Sequence, residues 1–420
     1  MDTFPIEETK EGTKKETMSL PYGRQHITEK DIRAVEAVLR SDWLTQGPTI
    51  SAFEKNLGEF LGSTNVVACS SGTAALHLSM LALGVGKGDE IVTSPITFLA
   101  SANCACFVGA EVRFADIDAA TGLMDPRSLS KILAADRKKK IKVVVPVHFA
   151  GQPVELSQIY SLAKAHGAWV ADDACHALGA EYEYQEQTFR VGGSPHSDLT
   201  VFSFHPVKHV ATGEGGAIAT PDAELSERLR RFRNHGMRKD EFTYHESAYS
   251  PEGLVNPWYY EMHELGFNYR LTDIQAALGI SQLKRLLWSL ERRNRLATLY
   301  RQLLSETFDR DEVHPLTLLP DRKHAYHLFV IQIDFERFGI SRAAVMNHLK
   351  QAGIGTQVHY IPVHLQPYYR NRYGTAPGDF PQAEQYYAKA LSLPMYPDLT
   401  ESDVERVVRE LKKALSVGKS

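Results

Sequence analysis

From Asn65 to Thr220, short runs of apolar residues alternate with longer segments of helical period, and few folds accept that pattern. "NVVAC" precedes "TAALHLSMLALG", and "EIVTS" precedes "FLASANCACFVG". After "EVRFAD", the runs "KVVVPV" and "AWVADD" flank "ELSQIYSLAKAHG"; "DLTVFSF" and "GAIAT" follow. Strands that are apolar throughout must be covered on both faces. The alternation therefore predicts an α/β fold on a mainly parallel sheet with helices on either side. Ligands in such sheets bind beyond the carboxyl ends of the strands. That rule gathers Ser71-Gly72-Thr73, Asp173 and Lys208, because each follows a strand.

The flanking segments are helical. Thr28 with Asp31 can cap a helix whose Ile32, Val35, Val38 and Leu39 line one face, and Ile50, Phe53, Leu57 and Phe60 repeat the spacing. From Leu271 to Glu306 the period stays helical; a helix of that length would reach about 50 Å, so a bend or break is expected near Gly279. Beyond it, "HLFVIQID" reads as a strand, "RAAVMNHLKQAG" as a helix with a glycine C-cap and "TQVHY" as a strand. The helices "QAEQYYAKAL" and "ESDVERVVRELKKAL" close the chain. This divides it into a mobile tail (1–19), a large domain (20–270) and a long helix with a small C-terminal α/β domain (271–420).

Composition excludes several classes. With 420 residues there is room for two domains and a large core. A formal net charge of -4 offers no basic footprint for nucleic acid. No apolar run approaches the roughly 20 residues that span a bilayer, and the first 19 residues lack the apolar region of a secretory signal. Cys69, Cys104, Cys106 and Cys175 are too few and too irregular for a disulfide framework, and read as reduced thiols of a cytoplasmic protein.

The chemistry concentrates at three strand ends. "SSGTAAL" (70–76) puts small residues where backbone N–H groups and a helix start suit a phosphate, although a simple cap would look the same. "ADDACHALGA" (171–180) ends a buried strand with Asp172, Asp173 and, three residues on, His176. A capping carboxylate is the plain reading. A metal site using Asp173, His176, His205 and His209 is a second, without a recognisable ligand spacing. A third has one carboxylate hold a heterocyclic nitrogen protonated while a flat imidazole lies beside the ring, as pyridoxal phosphate requires. In "SFHPVKHVATGEGG" (203–216), Lys208 follows the apolar "DLTVFSF". A lysine shielded from water has its pKa lowered and becomes a nucleophile for aldehydes. Phosphate cradle, ring acid and nucleophilic lysine together favour pyridoxal phosphate.

At these residues the chain resembles the DegT/DnrJ/EryC1/StrS family of sugar-nucleotide aminotransferases, which are fold-type I pyridoxal-phosphate enzymes. "SDWLTQGP", "SSGTAALHL", "DDACHALGA", "SFHPVKHVATGEGG", "GFNYRLTDIQAALG" and "HYIPVHLQPYY" resemble its motifs in the family's order. "PYGRQ", "PWYYEMHELGFNYR" and "VHYIPVHLQPYY" look most like the subgroup that aminates C4 of a UDP-linked 4-keto-6-deoxy-N-acetylhexosamine on the way to pseudaminic acid. The resemblance implies that Lys208 bonds the cofactor aldehyde and later shuttles a proton. It implies that Asp173 pairs with the pyridinium nitrogen, that His176 and Phe98 cover the two ring faces, and that Gly72, Thr73 and Ser203 hold the phosphate. Asn268 would reach that phosphate from the neighbouring subunit, making a homodimer the active unit. Glutamate as amino donor follows from the resemblance alone. Family members with histidine at the lysine position dehydrate their substrates, so Lys208 points to transamination.

Other readings remain open at this stage: C3 or C4 amination of a dTDP- or GDP-linked keto sugar, a metal-dependent hydrolase, and a catalytically silent cofactor-binding regulator. Nucleotide and sugar stereochemistry would be read by loops such as 181–197 and 240–262.

Overall fold

The computed structural model describes residues 19–63 and 65–416. The segment expected to be a mobile tail lies outside the described residues as far as residue 18. The alternating region builds a seven-stranded sheet. Its strands lie in the order Asn65–Cys69, Gly216–Thr220, Leu199–Ser203, Trp169–Asp173, Ile141–Val145, Glu90–Thr93 and Glu111–Phe114. Only Gly216–Thr220 runs antiparallel to its neighbours. Alternate side chains enter two cores: Val144, Val170 and Phe202 face one, and Val143, Val145, Ala171 and Val201 the other. All seven are completely buried, and each valine or phenylalanine contributes about 1.5–3 kcal/mol by leaving water.

Thr28 and Asp31 do cap the helix Glu29–Leu39, and its apolar stripe is only partly buried, with Val38 buried and Val35 half-buried. Ile32 and Leu39 are 51% and 57% exposed, while Asp31 is buried. Asp31 is held inward by Arg285, whose Nη1 donates to Asp31 Oδ2 at 2.8 Å and to Thr28 Oγ1 at 2.9 Å. That ion pair brings Asp31 inward on the same side as Val38, while Ile32, Leu39, Glu29 and Glu36 stay on the surface.

The long helical stretch breaks at Lys284 and Arg285, between Asp273–Leu283 and Leu286–Thr307, and not at Gly279. Gly279 serves packing instead: a Cβ there would come within 2.8 Å of Phe53 Cε2. A second sheet of three antiparallel strands, Val313–Pro315, Phe329–Ile333 and Ala390–Leu393, follows. It shares a core containing Leu296, Tyr300, Ile331, Val345, Val407 and Leu411 with three helices, Leu286–Thr307, Arg342–Gln351 and Glu401–Ser416.

Two expected elements differ here. "TQVHY" forms no strand and meets the sheet at Ser392, through a bridge from Gln357 and a hydrogen bond between His359 Nδ1 and Ser392 Oγ at 2.8 Å. The end of "QAEQYYAKAL" leaves its helix at Lys389 and starts the strand Ala390–Leu393. The glycine stop after "RAAVMNHLKQA" is Gly353, one residue past the cap Ala352, with φ of 73°. Among the described residues no helix is long and apolar enough to cross a membrane.

Candidate active site

Ser71 caps the helix Gly72–Ala82, its Oγ accepting from Ala74 N at 3.0 Å. A helix start leaves N–H groups without intrahelical partners, and here it abuts the end of the strand Leu199–Ser203. A Cβ on Gly72 would lie 2.9 Å from Ser203 Cβ, and one on Gly216 only 2.4 Å from Ser71 O. The two glycines therefore let three chain segments close around a small N–H-lined recess, with the half-buried Thr73 and Ser203 at its edge.

Asp172 and Asp173 end their strand facing opposite sides. Val154 N donates to His148 Nδ1 at 3.0 Å, so His148 carries its proton on Nε2 and donates to Asp172 Oδ2 at 2.8 Å. Asp172 also accepts from Thr200 Oγ1 at 2.9 Å and from Ser197 Oγ, and is completely sealed. Asp173 faces the site. It accepts from Ser101 Oγ at 2.6 Å and from Cys175 N at 3.0 Å, which hold its charge in place and leave room for a cationic partner.

Lys208 lies on the loop after Ser203, not on the strand, with its N–H bonded to the His205 carbonyl at 2.8 Å. Its Nζ is 3.2 Å from His327 Nε2. Burial lowers the lysine pKa, against the opposing pull of Cys175 and Asp173. His176 receives Ala150 N on Nδ1 at 3.3 Å, so its Nε2–H donates to Tyr360 Oη at 3.1 Å. Burial, then the nearby Lys208 charge, drives the pKa of both His176 and His327 well below the usual imidazole value. Their ring centroids stand 4.4 Å apart.

Phe98 is 57% exposed, with its ring centroid 6.2 Å from that of Tyr360. Lys208, Asp173, His176, Gly72, Thr73, Ser203 and Phe98 thus border one region. Asn268 is the exception: it is exposed, and among the described residues no hydrogen bond joins its side chain to Lys208, Asp173 or His176. The histidines of the metal alternative diverge, since His205 is exposed while His209 Nε2 donates to the Ala325 carbonyl at 2.9 Å.

His327 and Tyr360 were not assigned from sequence. Tyr360 stands in "VHYIPVHLQPYY", whose residues had no separate roles. His327 had one usable signal, an imidazole just before the mostly apolar strand "FVIQI".

The sheet and the lysine-carboxylate-imidazole cluster define a fold-type I pyridoxal-phosphate transferase. The DegT/DnrJ/EryC1/StrS aminotransferase family model matches residues 25–412. The chain belongs to that family and is a pyridoxal-phosphate-dependent sugar aminotransferase. It is 39% identical over 398 residues to the spore coat polysaccharide biosynthesis protein SpsC of Bacillus subtilis, covering 94% of this chain and 96% of that one. It superimposes with a TM-score of 0.83 and 32% identity on Helicobacter pylori PseC, an aminotransferase involved in the biosynthesis of pseudoaminic acid, covering 95% of this chain and 100% of that one. Spr1654 from Streptococcus pneumoniae, solved in a PLP form, matches with a TM-score of 0.83 and 26% identity, over 95% and 99% of the two chains. The residues here fit that cofactor: an N–H recess for its phosphate, a buried carboxylate for its ring nitrogen and a desolvated lysine for its aldehyde.

Proposed function

We propose that the protein transfers the amino group of glutamate to C4 of a UDP-linked 4-keto-6-deoxy-N-acetylhexosamine, as a cytoplasmic homodimer with shared active sites. The observation that carries this reading is the similarity to PseC, which spans the whole of that chain.

Bound pyridoxal phosphate supplies an aldehyde that exchanges amino groups and a ring that withdraws electrons. Lys208 holds it through Nζ. Once released, Nζ is a neutral amine of lowered pKa, able to take a proton from the donor's α-carbon and return it. His327 Nε2, at 3.2 Å, orients that amine. Asp173 would stabilise a positive ring nitrogen, and His176 and Phe98 would flank the ring. Gly72, Thr73 and Ser203 would hold the phosphate, and Asn268 would donate its amide to the phosphate of the other copy.

The surface supports a homodimer. Ile32, Leu39, Trp43 and Leu44 are exposed on or just after the first helix, and Leu254, Trp258 and Leu265 on the segment before Asn268; this much exposed large apolar side chain is what a subunit interface would cover. In this reading residues 20–270 bind the cofactor, and 271–420 form the smaller domain that closes over it. A keto sugar on another nucleotide, or aminated at C3, is the second reading. A panel of UDP-, dTDP- and GDP-linked keto sugars, each with glutamate, separates the two. Turnover confined to dTDP or GDP sugars would overturn the UDP assignment.

A further inference from the structure

A cavity of about 370 Å3 opens in the C-terminal domain between the end of the helix Leu286–Thr307 and the strand Val313–Pro315, and none of the cofactor residues named above lines it. Its floor is apolar: Leu304 and Val313 are buried and Phe308 is half-buried. Arg301, Arg310 and His314 supply its cationic and imidazole groups. Among the described residues neither arginine forms an ion pair. Arg301 Nη2 donates to the neutral Leu316 carbonyl at 2.7 Å, and its Nε to Tyr326 Oη at 3.4 Å. His314 Nδ1 is buried, with no hydrogen-bond partner among the described residues. Guanidinium forks with spare donors beside an apolar floor suit a small organic oxyanion, its head on the arginines and its body on Leu304 and Phe308.

The cavity also adjoins the segment that orients the reactive lysine. Tyr326, which accepts from Arg301, has φ of 48°. A residue with a Cβ keeps that left-handed backbone only where its surroundings hold it. Here the Tyr326 N–H donates to His324 Nδ1 at 2.8 Å, its ring stacks on His324 with centroids 4.0 Å apart, and its carbonyl accepts from Arg293 Nη1 at 3.0 Å. The next residue is His327, whose Nε2 stands 3.2 Å from Lys208 Nζ. An oxyanion that draws Arg301 into the cavity loosens its long bond to Tyr326. A strained backbone with an ordinary alternative conformation then passes the change to the next side chain.

We propose that this cavity is a second binding site, for an organic oxyanion with an apolar body, and that its occupancy alters the contact between His327 and Lys208 through Arg301 and Tyr326. The site is separate from the one that holds the cofactor and does not depend on which sugar is aminated.

Phenyl phosphate and benzoate are the probes, and inorganic phosphate is the control that lacks the apolar body. Each is titrated into the cofactor-loaded protein and followed by ligand-observed NMR. At least one probe should bind saturably, and the tighter of the two identifies the head group as phosphate or carboxylate. Inorganic phosphate should bind at least about tenfold more weakly than that probe. Arg301→Gln should raise the probe's Kd about tenfold, and Arg310→Gln about threefold. Arg310 is exposed, so its variant keeps the test open if Arg301→Gln fails to fold. No saturable binding, inorganic phosphate binding as tightly as the probes, or a Kd within twofold of wild type in every folded variant overturns the site. The coupling is read from the pH midpoint of the lysine-bound cofactor's absorbance. Saturating probe should shift it by about 0.7 pH unit or more in wild type, a fivefold coupling, and the same concentration should barely move it in Arg301→Gln. An unmoved midpoint in wild type, or an equal shift in Arg301→Gln, overturns the coupling. Because probe binding is measured apart from turnover, failure of the substrate reading shows in the sugar panel and failure of this site shows in the Kd.

Discussion

Lys208 Nζ and His327 Nε2 stand 3.2 Å apart, and burial lowers the pKa of both groups. Two positive charges cannot share that space, so at least one stays neutral. His327→Phe removes the nitrogen and keeps a ring. It should lower kcat by about 100-fold, the usual worth of a positioned proton partner, with little change in KM for the amino donor. The pH midpoint of the lysine-bound cofactor's absorbance should move as well, and His327→Asn should restore part of the rate. A spectrum and kcat unchanged in His327→Phe would show that the contact is only packing.

The two adjacent aspartates should separate cleanly. Asp173→Asn should fold, bind cofactor and lose about 2.7–4 kcal/mol of transition-state stabilisation, as expected when a preorganised charge is deleted. Asp172→Asn disturbs the sealed network with His148, Ser197 and Thr200, and should cost about 1–3 kcal/mol of stability while sparing more of the rate. Urea midpoints and single-turnover rates on both variants decide it; a stable but inactive Asp172→Asn beside an active Asp173→Asn would exchange the roles.

Gly72→Ala places its Cβ 2.9 Å from Ser203 Cβ, so the recess must widen. Cofactor should dialyse from this variant at least tenfold faster than from wild type, a change of about 1.4 kcal/mol or more. Equal retention would mean that the phosphate is held elsewhere.

Acid should destabilise the protein through its buried histidines. Burial drives the pKa of His324 and His359 down to about 3, and those of His176, His209 and His327 well below 6.5. Folded, these imidazoles stay neutral; unfolded, they take up protons near the ordinary value. The unfolded state therefore binds more protons between about pH 3 and 6.5, and stability rises with pH across that window and is lost on acidification. Each fully shifted imidazole contributes a slope of ~1.4 kcal/mol per pH unit there. His324→Asn should flatten the dependence of the urea midpoint between pH 6.5 and 5 by about one such proton. An unaltered slope would mean that His324 titrates when folded.

Asn268 can be tested by complementation. Asn268→Asp should bind cofactor weakly, because a carboxylate repels the phosphate, and Lys208→Ala should be inactive. A heterodimer of the two should regain up to about half the wild-type sites if the loop serves the other copy. A verified but inactive heterodimer would assign Asn268 to its own chain.

The parallel sheet and the grouping of Lys208, Asp173 and Gly72 were legible because both follow from local pattern and one rule about strand ends. The break at Arg285 was not, since it accompanies a bond to Asp31, more than 250 residues away. The same bond places Asp31 beside Val38 on the buried side of the first helix, where the apolar spacing alone would not put a carboxylate. "TQVHY" has strand composition but meets its sheet only through Gln357 and His359, both at Ser392, and forms no ladder. His327 matters because a segment 119 residues away brings it beside Lys208, and its place before a buried strand hints only at burial, not at that partner.

The central claim is that Lys208 moves an amino group onto a nucleotide-linked keto sugar. Its most direct test supplies 15N-labelled glutamate and the UDP-linked 4-keto-6-deoxy-N-acetylhexosamine to the cofactor-loaded protein and follows the sugar by mass spectrometry. The account predicts an amino sugar carrying the 15N label with wild type and none with Lys208→Ala. An unlabelled sugar, or one that has lost water instead of gaining nitrogen, would contradict it.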